Sequence, residues 1–171
     1  MMATEPRATP ALGERTRPVA LAETMPLAPL AAHPFARDVG MLAYLLVGRP
    51  WTNLGIVSLG DAKRSWELAQ RLVKVARAAG SSPLRAAKVQ DLDAERAVRL
   101  GRAVQTLCAQ GRRFILATGS PVRNPATLHV LETCEAVLLL LEQGHSSLSE
   151  AQRTIELVGR GRVIGAVLVS P

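Results

Sequence analysis

Four short apolar runs recur along this chain: "NLGIVSL", "RRFILAT", "EAVLLLL" and "RVIGAVLV". Amphipathic stretches with helical spacing stand between them. That alternation constrains the fold more than any other feature. Two strands separated by a helix cannot form a hairpin, so they pair in parallel through a crossover. Helices then cover both faces of the sheet, and strands buried on both sides read as unbroken apolar runs. The expected fold is a three-layer α/β/α domain with a mostly parallel sheet. In such a sheet, ligands sit beyond the carboxyl ends of the strands, where helix N-termini point. The turn "SLGDAKRS" and the loop "TGSPVRNP" both lie at that edge.

The helices have readable limits. Phe35, Val39, Leu42, Leu45 and Leu46 follow a helical period that Gly48 and Pro50 end. Asp61 or Ser65 can start the next helix. Trp66, Ala69, Leu72, Val73, Ala76 and Ala79 form its expected inner stripe, and Gly80 stops it. "LRAAKVQDLD" is a weaker strand candidate. Asp93 caps a helix from Ala94 to Ala109 with Val98, Gly101, Val104 and Cys108 on one face, closed by Gly111. Asn124 with Pro125 at the first helical position opens a short helix. Ser147 to Glu150, "SLSE", is a capping box for a helix ending near Val158. No internal repeat is evident. Residues 1–32 are rich in Pro, Ala, Thr and Glu without period and read as a disordered tail, leaving one domain from residue 34 to 171.

Composition narrows the function. The 171 residues are 48% hydrophobic but only 3% aromatic, so the core is Leu, Val, Ile and Ala. The run "AVLLLL" falls far short of the roughly 20 residues of a membrane span. The N-terminus has glutamates among its arginines and no compact apolar stretch, so no secretion signal is expected. Cys108 and Cys134 lie in apolar patterns and read as buried thiols in a reducing cytosol. His33, His129 and His145 are scattered, and no metal cluster is expected. Net charge is +7. Residues 1–34 balance three arginines with three glutamates, so the excess belongs to the domain. It favours an anionic partner: an acidic protein face, lipid headgroups or nucleic acid. Arg71, Lys74 and Arg77 share one side of a helix and read first as a solvated face, second as a docking face.

Taken together, "NLGIVSLG" after an N-terminal helix, "VQDLDAER", and the segment from "RFILATGSPVRNP" to "VIGAVL" resemble the ParA/MinD-like branch of P-loop ATPases. The bacterial tyrosine kinases of polysaccharide export are most similar. The likeness spans about residues 34–169 and implies a reduced P-loop NTPase-like domain. By that resemblance Gly60, Lys63, Arg64 and Ser65 occupy the phosphate loop, and Asp91 and Asp93 the second acidic motif. They are the candidate binding residues if a nucleotide is held.

The departures decide the functional expectation. Ala62 replaces the last glycine of the loop, and Arg64 the hydroxyl that would hold magnesium. Ser65 comes one step late, which turns its hydroxyl about 100° around the helix. Ala117 stands where the family ends a strand with aspartate. The tyrosine-rich tail is missing, and the only tyrosine, Tyr44, lies in an apolar helix. Of the arginine pair used for ring assembly, Arg37 remains. Lys63 and Arg64 form a cationic pair at the positive end of a helix, which is unfavourable unless an anion compensates, and Asp61 is an internal candidate.

The leading expectation is therefore a non-catalytic relative of these kinases. It would be a cytosolic or peripheral accessory subunit that docks on a membrane protein of an envelope exopolysaccharide machine, or on itself. No catalytic residue, metal or cofactor is expected. The alternatives are an active ATPase or kinase using ATP and magnesium, and a positioning protein that binds DNA or membrane. Nucleic acid is not the leading partner.

Overall fold

A computed structural model describes residues 39–47, 49–80 and 84–170. The expected tail, the part of the expected first helix from Pro34 to Asp38 and the expected helix stop at Gly48 lie outside the described residues. In chain order the elements are α1 (Val39–Val47), β1 (Asn53–Ser58), α2 (Ala62–Ala78), β2 (Leu84–Val89), α3 (Ala94–Ala109), β3 (Arg113–Gly119), α4 (Thr127–Leu131), β4 (Ala136–Glu142), α5 (Leu148–Val158), a 3-10 turn (Arg160–Arg162) and β5 (Val163–Val169). The five strands form one sheet in the order β2-β3-β1-β4-β5. Every pairing is parallel, so the sheet is wholly rather than mostly parallel. Among the described residues no helix is long and apolar enough to cross a membrane.

The topology follows from the crossovers. The chain leaves β1 for the sheet edge at β2, then steps back through β3 and past β1 to β4 and β5. Right-handed crossovers in opposite directions put their helices on opposite faces. One core joins α1 and α2 to the sheet through Leu42, Leu46, Leu68, Leu72, Ile56 and Leu138. The other joins α3, α4 and α5 through Ala97, Val104, Leu131, Ala151, Val57 and Leu139. The third layer is real, and β1 is buried along its whole length.

Local chemistry explains the element ends. Asp61, not Ser65, caps α2: its side chain accepts from Lys63 N. The buried stripe of α2 is Ser65, Leu68, Ala69, Leu72, Val73 and Ala76. Trp66 is only partly buried and Ala79 is exposed, because the helix is rolled toward Leu68. Asp93 caps α3 as expected, accepting from Arg96 N. That helix buries Ala97, Gly101 and Val104, with Val98 only half covered. Gly101 admits α4 closely, since a Cβ there would lie 3.0 Å from Thr133 Cγ2 and 3.3 Å from the His129 carbonyl. Asn124 is displaced from the expected cap. Its Oδ1 accepts from Ala126 N at 3.1 Å in a turn, and the helix proper begins at Thr127.

Opposite the ligand edge, the strands are clamped at their start. The Glu135 carboxylate accepts from Thr52 N at 2.8 Å and Thr52 Oγ1 at 2.6 Å. Asn53 bridges to Glu135 N and the Thr133 carbonyl. Arg113 lies 4.2 Å from the Trp51 ring centroid, a cation–π contact that ties β3 to the chain entering β1.

Candidate functional site

β1 sends its helix α2 to one face, while its neighbours β3 and β4 send α4 and α5 to the other, so the sheet opens a crevice at its carboxyl edge beside β1. An open cavity of about 580 Å³ lies there, lined by Gly60, Asp61, Arg64, Arg123, Glu142 and His145, with Gln143 and Ser170.

The floor of that cavity is the β1–α2 turn, and it is short. Only Leu59, Gly60 and Asp61 separate the strand from the helix. Leu59 N continues the ladder to the Leu140 carbonyl at 3.0 Å. Of the five N–H groups that follow, from Gly60 to Arg64, all but Ala62 N have acceptors. Gly60 N donates to Ser58 Oγ at 3.3 Å and Asp61 N to Glu142 Oε1 at 2.9 Å. Lys63 N donates to Asp61 Oδ1 at 2.8 Å, and Arg64 N to the Asp61 carbonyl at 3.0 Å. The Glu142 carboxylate is seated against the turn. A Cβ on Gly60 would come within 2.6 Å of its Cδ and Oε1. Gly60 is thus the bare backbone that admits this carboxylate. Ala62 is simply the first helical residue, and among the described residues Asp91 is the only non-glycine with positive φ.

The residues singled out from sequence are dispersed. Gly60 and Arg64 line the cavity. Lys63 is 70% exposed, 3.9 Å from Glu67, and Arg64 stands 3.8 Å from the same carboxylate. Ser65 is wholly buried, and its hydroxyl donates back to the Ala62 carbonyl at 2.7 Å. Asp91 and Asp93 follow the edge strand β2, two strands from β1, or about 10 Å across the sheet. Asp91 is exposed with φ 50°, and Asp93 is occupied as the α3 cap, 2.7 Å from Arg96 N. Ala117 is buried in the α1/α2 core, in register with Ile56.

Three charged residues outside the set of candidate binding residues, Glu142, Arg123 and Glu150, organise the edge. Glu142 ends β4, and the turn behind it fixes its backbone: its N–H donates to Ser146 Oγ at 2.8 Å and its carbonyl accepts from Ser146 N at 2.9 Å. Arg123, from the β3–α4 loop, donates to the Leu59 carbonyl at 2.8 Å and the Gly60 carbonyl at 3.2 Å. Its other partner is Glu150, with 3.0 Å from Nη2 to Oε2 and 3.0 Å from Nε to Oε1. The capping box at α5 is therefore half made. Ser147 Oγ accepts from Glu150 N at 3.1 Å, while the Glu150 side chain turns to Arg123. The signal for Glu142 was in the sequence: a carboxylate closing an apolar strand at the ligand edge.

The arrangement holds two carboxylates and two guanidinium groups around the cavity, with Arg123 neutralised by Glu150. Among the described residues no three His, Cys, Asp or Glu side chains gather to hold a metal. Of the two thiols expected to be buried, Cys134 is, which pushes it up to about 12; Cys108 is only half-buried, and partial desolvation raises it too.

No family model matches the chain. No curated protein matches it either. Among solved structures, the Mycobacterium smegmatis helicase Lhr bound to ssDNA and AMP-PNP aligns at 16% identity with a TM-score of 0.42. The alignment covers 78% of this chain and 16% of that one, a likeness too distant to argue from.

Proposed function

We propose that this chain is a non-catalytic α/β module that acts by binding a partner, with its former phosphate turn converted into a structural joint. The observation behind this reading is the Glu142 carboxylate held by Asp61 N against Gly60. An entering phosphate would meet a fixed negative charge. Two unit charges 4 Å apart repel by about 1 kcal/mol in bulk water and about 4 kcal/mol at an effective dielectric of 20. The residues present do not fit a magnesium-chelated triphosphate: the turn is too short to wrap it, Ser65 is bonded inward and Ala117 offers no carboxylate. Positioning and charge neutralisation supply nearly all catalysis of phosphoryl transfer, so losing them at separate points favours a binding role. The resemblance to the tyrosine kinases of polysaccharide export makes the cytosolic face of such a machine the first place to seek the partner, with this chain as accessory subunit.

Calorimetric titration of ATP with magnesium into the protein tests this, beside Lys63→Ala and Glu142→Gln. The expected outcome is no saturable heat for the native protein and for Lys63→Ala. Micromolar binding by the native protein that Lys63→Ala abolishes would establish a working nucleotide site and end the proposal.

A further inference from the structure

The charge of this protein is unevenly placed. Helix α2 carries five cations, Lys63, Arg64, Arg71, Lys74 and Arg77, and one carboxylate, Glu67. Glu67 lies near Lys63 and Arg64, whereas Arg71, Lys74 and Arg77 have no ion-pair partner among the described residues. All three are exposed and follow one another at i, i+3 steps, on the side opposite the stripe of Leu68, Leu72 and Ala76. From Arg71 to Arg77 the row is about 9 Å long, at 1.5 Å of rise per residue. At the sheet edge below it, Lys88 of β2 falls on the same face as Leu84 and Ala86, which pack into the α1/α2 core. The other layer differs. On α3 and α5, Arg96 pairs with Asp93, Arg99 with Glu95 and Arg153 with Glu156, which leaves Arg102 as the one cation of those two helices without an ion-pair partner among the described residues.

The neighbour of α2 in its layer is α1, whose nine residues carry no charge. Its one strongly exposed described side chain is Tyr44, at 79%. A row of unpaired cations beside an uncharged helix that presents an amphipathic ring is the chemistry of a bilayer interface. Lysine and arginine stems lie along the surface with their heads in the phosphate layer. Tyrosine is enriched at the headgroup level. A duplex DNA backbone would use the cations and leave Tyr44 idle.

We propose that the outer face of α1 and α2 docks on an anionic lipid surface through Arg71, Lys74 and Arg77, with Tyr44 at the interface. The proposal goes beyond the non-catalytic reading, and vesicle binding and ATP titration succeed or fail independently.

Sedimentation of the full chain with vesicles tests it. Phosphatidylcholine vesicles containing about one-third phosphatidylglycerol should bind the protein, and pure phosphatidylcholine should not. Removing three surface cations, in R71Q/K74Q/R77Q, should cost roughly a hundredfold in affinity. About 1 M salt, where the screening length falls to about 3 Å, should have a similar effect. These side chains are solvated, so the variant should keep the native circular dichroism. Tyr44→Ser should weaken binding severalfold with no change of charge. The α3 variant R96Q/R99Q/R102Q removes the same charge from the opposite layer and should bind nearly as the native protein does. Equal losses in the two triple variants, no preference for the anionic vesicles, or tighter binding to a short DNA duplex than to vesicles at the same salt would each overturn the proposal.

Discussion

Arg123 joins three segments that are distant in sequence, so its removal should be costly well beyond one surface ion pair. In Arg123→Ala, the carbonyls of Leu59 and Gly60 lose their guanidinium donor, and Glu150, whose side chain is 13% exposed, loses its counter-ion. A hydrogen bond involving a charged group contributes about 1.5–3 kcal/mol. The guanidinium is itself 56% exposed, so solvent screening holds the sum near the lower end. The expected loss is about 2 kcal/mol for Arg123→Ala and about 1 kcal/mol for Glu150→Gln, which keeps shape and removes charge. The double variant should be less unstable than the sum of the two by about 1 kcal/mol, because the same contact is counted twice. Urea unfolding measures this. With slopes of about 1–3 kcal/mol per molar, the midpoint of Arg123→Ala should fall by about 1 M at constant slope. Additivity of the two substitutions within about 0.3 kcal/mol would refute the coupling and, with it, the idea that this pair fastens the turn.

Two further outcomes follow from the core. A Cβ on Gly55, in mid-β1, would lie 2.9 Å from Leu131 Cδ2 and 3.3 Å from Cys134 Sγ. Gly55→Val should therefore cost about 1–3 kcal/mol through overpacking and lower the thermal midpoint by several degrees; an unchanged midpoint would show that α4 yields freely. Burial pushes the Cys134 thiol from 9.0 to about 12, so the folded protein keeps a proton that the unfolded chain releases. The stabilisation is fully present below pH 9 and is lost as pH rises toward 12. Cys134→Ala should flatten this alkaline decline in chemical denaturation; parallel pH curves for the two proteins would contradict it.

Much of the fold was legible because two periods suffice to read it. β1, β3 and β4 are each built on an apolar run, and Asp93, Ser147, Gly80 and Gly111 mark helix ends by local chemistry. What lay beyond sequence reading came from rolling and register. A helix stripe read from Trp66 misplaces its centre when Leu68 is the better fit to the sheet. Asn124 satisfies Ala126 N in a turn because Pro125 and Ala126 do not yet belong to the helix. The site was hardest, since it depends on who sits beside Gly60. Residues 60 and 142 meet only because β1 and β4 are neighbours in the sheet, a pairing no local pattern announces. The second half of the "SLSE" box is diverted for the same reason: Arg123 arrives from another loop.

The central position of β1 also governs how the chain is made. Its partners, β3 and β4, begin at Arg113 and Ala136, so β1, α2 and β2 emerge from a ribosome before any sheet bond is available to them. At about 5–20 residues per second, some 60 residues of synthesis separate β1 from its first neighbour, an interval of several seconds. During it, two strands with unsatisfied backbone groups must be kept from pairing with other nascent chains. Closure over such long sequence separations is intrinsically slow. The fold thus places its heaviest demand on chaperones before β3 arrives.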